Sequence, residues 1–151
     1  RDAARMPGGR GTVNLRTFRA NMQAVGGGGI SVAGGTLTPI NVILANSAGQ
    51  CFINGGTVTL KGVNLIESSG NSERCNNPAS ATLLVTDPKL GALADNGGPT
   101  RTVALLVGSP AIDQGYNSVL QGSGMPLAKD QRGKSRVSNG TVDIGAFEAQ
   151  P

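Results

Sequence analysis

A chain of 151 residues is long enough for one domain with its own core, but 24 glycines, no tryptophan and 3% aromatics leave few bulky side chains for a globular interior. At 38% hydrophobic and 15% charged residues it is too apolar to be held open by charge, which sets disorder aside, and with no histidine a zinc site would lack imidazole. The formal charge of +4 is local: Arg1, Arg5, Arg10, Arg16 and Arg19 stand against Asp2, and the rest of the chain cancels.

Residues 1–10, rich in Gly and Arg with Pro7, read as an N-terminal arm or linker. The chain opens at Arg1 with no initiator Met, so a longer precursor is expected. The five arginines form the candidate interaction patch, toward phosphates, an anionic glycan or an acidic protein surface; the plainer reading is a solvated face. They are not interleaved with aromatics, and nucleic acid is not an expected partner.

From residue 11 a repeat sets in. Gly11-Thr12-Val13-Asn14-Leu15, Gly35-Thr36-Leu37-Thr38-Pro39 and Gly56-Thr57-Val58-Thr59-Leu60 share one pattern: a glycine, then an alternation that puts one strand face in water and one in a core. Val13, Leu15, Leu37, Val58 and Leu60 are expected inward, with Thr12, Thr36 and Thr57 outward. A turn follows each copy: Gly26 to Gly29, Asn46 to Gly49 and Ser68 to Asn71. A unit of this length cannot bury its own strands, so neighbours must stack. The expectation is an all-β fold: a right-handed parallel β-helix of about three coils over residues 11–85, then an irregular Pro/Gly-rich C-terminal cap over 86–151. An antiparallel sandwich is the competing fold, and hairpin turns between the alternating runs are too sparse to favour it.

The glycine run at 26–29 lacks the Lys-Ser/Thr and the helix of a phosphate loop, and a turn explains it better. Cys51 and Cys75 do not have metal-site or redox spacing; a structural disulfide in an oxidising compartment is favoured over two buried thiols. Between residues 3 and 85 the only acids are Glu67 and Glu73, too few for the converging carboxylates of a glycan-cleaving site. No catalytic residue and no cofactor site is assigned, and no enzyme activity is expected of these residues. No apolar run approaches the ~18 residues of a membrane span.

Near Thr86 the alternation gives way to Asp87-Pro88, Gly98-Pro99, Ser109-Pro110 and Met125-Pro126, each forcing extended or turn backbone. A segment of this kind is suited to cover a bare strand edge, the role given to the cap. The acids cluster here: Asp87, Asp95, Asp113, Asp130, Asp143 and Glu148. Asp95 and Asn96 form the candidate site for weakly bound calcium, against the plainer reading of Asx-type turns. Arg132 is expected to pair with a carboxylate of this half.

The same half carries a resemblance. Thr86-Asp87-Pro88-Lys89-Leu90-Gly91-Ala92-Leu93-Ala94-Asp95-Asn96-Gly97-Gly98-Pro99-Thr100, Ala104-Leu105-Leu106-Val107-Gly108-Ser109-Pro110-Ala111-Ile112-Asp113-Gln114-Gly115, Asp130-Gln131-Arg132-Gly133 and Asp143-Ile144-Gly145-Ala146-Phe147-Glu148 resemble, in order, the bacterial choice-of-anchor Q domain; Val107 stands where the family pattern has Pro. The resemblance implies β-helix repeats upstream and a secreted or cell-surface protein, mostly without an assigned activity. The function expected is a non-catalytic extracellular scaffold or interaction module, part of a longer chain or assembly. Its partners would be upstream coils, a second copy or another surface protein. The alternative is a polysaccharide-binding or polysaccharide-cleaving protein, weakened by the scatter of Phe18, Phe52, Tyr116 and Phe147.

Overall fold

A computed structural model of the chain describes residues 4–6, 9–14, 17–19, 29–45, 51–67, 82–84, 87–120 and 128–151. Its elements are β1 (Ala4–Met6), β2 (Arg10–Asn14), β3 (Thr17–Arg19), β4 (Ile30–Val32), β5 (Gly35–Ile40), β6 (Ile43–Ala45), β7 (Cys51–Ile53), β8 (Gly56–Val58), β9 (Val63–Ile66), β10 (Thr82–Leu84), β11 (Leu90–Ala94), β12 (Thr102–Leu105) and a 3-10 turn at Asn117–Leu120. Three sheets are parallel, in the orders β1-β4-β7, β2-β5-β8 and β10-β9-β6-β3; the fourth is the antiparallel pair β11-β12.

The glycine that starts each alternating copy is required by geometry, though the column differs from the one the sequence suggests. The Thr36 N–H donates to the Gly9 carbonyl at 2.8 Å, and Arg10 pairs with Thr36, which pairs with Thr57. Gly9, not Gly11, therefore stands in register with Gly35 and Gly56. Gly35 has φ 73°, and a Cβ there would lie 1.9 Å from the Gly9 carbonyl oxygen, so no other residue fits. Leu37, Val58 and Leu60 are buried and Thr57 is exposed. The side chains of Thr12, Val13 and Leu15, for which faces were also expected, lie outside the described residues.

Two apolar clusters result. Ile30, Val32, Leu37, Val42, Leu44, Cys51, Val58, Leu60 and Ile66 pack between the three parallel sheets. Ile43, Ala45 and Leu65, from β6 and β9, pack instead against Leu105, Ala111, Ile144 and Phe147 of the C-terminal half. The β6-β9 sheet is thus buried on both faces, which is why Ile43-Leu44-Ala45 is an unbroken apolar run and not an alternating one.

These packings correct the expected fold. The described residues are mostly short strands in several small sheets, parallel and antiparallel, with no α-helix, and they define neither a solenoid nor a closed sheet. The right-handed parallel β-helix with an irregular end cap is therefore replaced by an all-β arrangement of four small sheets. Two physical causes separate them. The Pro-rich segment is not irregular throughout: around the Asp95–Arg101 turn, β11 and β12 pair antiparallel. The C-terminal half also lies on the outer apolar face of a sheet, where Ile43 and Leu65 demand cover.

Asn41 and Asn64 hold the corners between sheets. The Asn64 side-chain oxygen accepts the Val42 N–H at 3.0 Å, and its amide donates to the Lys61 carbonyl at 2.9 Å. Asn41 has φ 52°, a left-handed conformation that asparagine tolerates better than most residues, and is fully buried.

Candidate functional site

The outer face of β2-β5-β8 carries an accessible grouping of polar side chains. Alternation along β5 turns Leu37 and Pro39 into the core and leaves Thr36 and Thr38 half-buried on the other side. Parallel pairing sets Arg10 beside Thr36. Bonding continues past β8: the Thr59 N–H donates to Leu37 and the Lys61 N–H to Pro39, which places Lys61 beside Ile40. Arg10, Gly11, Thr36, Thr38, Thr59 and Lys61 line a recess of about 400 Å³. Arg10 and Lys61 are exposed, and among the described residues that line the recess there is no carboxylate. Three hydroxyls and two cations can hold an anionic or hydroxyl-rich ligand; they include no general base or activated nucleophile.

Of the five arginines expected to form one patch, only Arg10 can be followed to a side-chain position. Arg5 and Arg19 lie in β1 and β3, strands of two other sheets, and Arg1 and Arg16 fall outside the described residues. The cation that the fold brings to the face of Arg10 is Lys61, which sequence reading did not single out. Its signal was present: Lys61 continues the outward positions Thr57 and Thr59.

The titratable groups of the C-terminal half form a second, enclosed grouping. Asp130 accepts two bonds from the Arg132 guanidinium, at 2.9 and 2.7 Å, and backbone N–H groups of Arg132, Lys134 and Glu148. Burial alone would raise its pKa, but these donors together hold the carboxyl below its ordinary value. The Arg132 guanidinium also lies 3.6 Å from the centre of the Phe147 ring and donates to the Glu148 carbonyl. Arg132 thus fastens its own loop to the chain end, in keeping with the expected carboxylate partner.

Asp143 and Glu148 stand on the other side of that link. Asp143 accepts the Asp113 and Ala149 N–H groups, and the Glu148 Oε2 accepts the Asp143 N–H at 3.0 Å. Burial raises the pKa of Asp143, and raises that of Glu148 to about 8 against the opposing Asp143 N–H bond. Two neighbouring carboxyls with raised pKa values are a pattern of acid-base sites. Here both side chains are 1% exposed or less, and their hydrogen bonds tie the backbone at Asp113, Asp143 and Ala149 together.

Asp95 and Asn96, the calcium candidates, close the β11-β12 turn. Asp95 accepts the Gly97 N–H at 3.0 Å, an Asx turn, and the Asn96 amide donates to the Thr102 carbonyl and hydroxyl across the hairpin. Among the described residues, no three His, Cys, Asp or Glu side chains are grouped to hold a metal ion. Cys51, buried in the first apolar cluster, is disulfide-bonded; Cys75 lies outside the described residues. No helix among the described residues is long and apolar enough to cross a membrane. No family model, curated protein or solved structure matches the chain.

Proposed function

We propose that the chain is a non-catalytic extracellular or cell-surface interaction module, a structural part of a larger assembly that associates through strand edges. One observation carries this reading: among the described residues β1, β2 and β3, consecutive in the chain, are each the terminal strand of their parallel sheet. A terminal strand presents a row of backbone donors and acceptors that an added strand can satisfy, and three such rows give a partner both affinity and register. The disulfide at Cys51 supports an oxidising compartment. The partner fitting these edges is upstream strands of the same polypeptide, a second copy of the chain or another surface protein offering strands.

Sedimentation of the purified chain over a range of concentrations tests the reading. Self-association that weakens when Thr12→Pro removes a donor from β2 supports it, provided the variant keeps its β-sheet circular dichroism. A chain that stays monomeric at high concentration, and captures no strand-donating surface protein on cross-linking at its source, would rule it out.

A further inference from the structure

The recess on the β2-β5-β8 face is a surface distinct from the strand edges, and its chemistry is specific enough to name a ligand class. Arg10 and Lys61 bracket it from opposite corners. Lys61 is in register with Ile40, four residues beyond Thr36, and Thr36 is in register with Arg10. With about 3.3 Å per residue and about 4.8 Å per strand, and two strand spacings between them, the two backbone positions are roughly 16 Å apart. A chain with repeated anionic groups engages both cations with their side chains lying apart over the face, whereas one carboxylate or phosphate would have to draw both long side chains inward over the threonines.

The floor between them decides which chain. Thr36, Thr38 and Thr59 present a row of hydroxyls that donate and accept, the complement of a sugar's hydroxyl and ring oxygens. Among the described residues that line the recess there is no aromatic ring, so they give nucleic-acid bases nothing to stack on and a neutral sugar no platform. Nor does it contain the deep apolar pocket on which protein partners concentrate their binding energy. From this we infer that the recess binds a linear anionic polysaccharide, its acid groups on Arg10 and Lys61 and its hydroxyls on the threonine row. The shared chemistry covers uronate and sulfated glycans.

Binding of the intact chain to polygalacturonate, dextran sulfate, neutral dextran, poly-L-glutamate and duplex DNA, measured by calorimetry at two salt concentrations, tests the inference. The expected result is binding to one or both anionic glycans that weakens with salt, with the other three ligands weak or silent. The stronger of the two glycans identifies carboxylate or sulfate as the preferred group. Arg10→Ala/Lys61→Ala should weaken this binding about tenfold or more, through the loss of two charge-assisted contacts. Lys129→Ala/Lys134→Ala, which removes the same charge from exposed positions elsewhere, should leave it unchanged. Thr38→Val, which alters no charge, should weaken it by a smaller factor. Equal binding of polyglutamate or DNA, equal loss in the two double variants, or no glycan binding would each overturn the inference. Because the recess lies on a sheet face, these results are independent of whether the edges self-associate.

Discussion

Asn41 and Tyr116, 75 positions apart, exchange two hydrogen bonds: the Asn41 amide donates to the Tyr116 carbonyl at 3.1 Å, and its oxygen accepts the Tyr116 N–H at 2.9 Å. The Asn41 carbonyl accepts the Gly145 N–H at 2.9 Å. One buried residue at the corner between β5 and β6 therefore ties the strand-rich half to two separate stretches of the C-terminal half. Asn41→Ala would lose both side-chain bonds and place alanine at φ 52°, so a loss of about 2–4 kcal/mol is expected. Asn41→Gly relieves the backbone but not the lost bonds and should fall between the two in denaturant unfolding. A glycine variant as stable as the parent would show that the bonds to Tyr116 contribute nothing.

The Asp130-Arg132 pair makes a second prediction, because both side chains are buried and the pair also orders the chain end. Removing one partner of a buried pair leaves an uncompensated charge, so Arg132→Ala should cost about 3–5 kcal/mol. Arg132→Lys should recover only part of this, since an ammonium cannot make the two-pronged contact with Asp130 and reach the Glu148 carbonyl. Thermal unfolding of the three proteins checks the order; a lysine variant matching the parent would mean that charge alone matters.

Stability should fall as pH rises across the neutral range. Glu148 has its pKa raised from 4.5 to about 8 by burial, so the unfolded chain releases this proton first. Its contribution is complete below pH 4.5 and declines as pH rises to about 8. Asp143, also raised, has the same sign, while Asp130, lowered, contributes above its ordinary 3.8 and loses that contribution as pH falls below it. Glu148→Gln keeps an acceptor for the Asp143 N–H but cannot ionise, so its stability curve should be flatter than the parent's between pH 4.5 and 8. Parallel curves for the two proteins across that window would assign the slope elsewhere.

Much of this organisation was legible where one physical rule governs a position, and illegible where two meet. Thr57 and Val58 show their faces because the alternation of a half-buried strand has only two phases. Ile43-Leu44-Ala45 obeys no alternation, because both faces are covered, and only the packing of Ile144 and Phe147 reveals why. That cover is also what turned an expected end cap into a layer on a sheet. Gly9 was hidden as the true register mate of Gly35 because Gly11 begins the better-looking repeat, whereas the close approach of two backbones chooses the column. Lys61 belongs to the recess through pairing with β5, a relation that no local pattern encodes.

Cys51 and Cys75 should be joined. Cys51 is disulfide-bonded and buried among Ile30, Leu44 and Ile66, and the chain has two cysteines in all. Closing the intervening loop should contribute roughly 3 kcal/mol through the reduced entropy of the unfolded chain. Peptide mapping without reductant checks the pairing, and recovery of Cys75 as a free thiol or in an intermolecular bond would refute it.

The assigned faces of β8 and the residues after it yield the sharpest comparison, since neighbouring positions should respond in opposite ways. Val58 is 5% exposed, pairs with Leu37 across the parallel register and packs in the first apolar cluster, whereas Thr57 is exposed beside Thr36. Val58→Asp would bury a carboxylate with no cation in that cluster, a change severe enough to unfold a domain of ordinary stability. Val58→Ala isolates the packing contribution and should cost about 1–3 kcal/mol through lost transfer energy and the cavity left behind. Thr57→Asp should stay within about 0.5 kcal/mol of the parent, as expected of a surface position. Urea unfolding of the three variants decides the matter: the order Val58→Asp, Val58→Ala, Thr57→Asp from least to most stable is required, and equal stability of the two aspartate variants would mean that the strand is turned the other way.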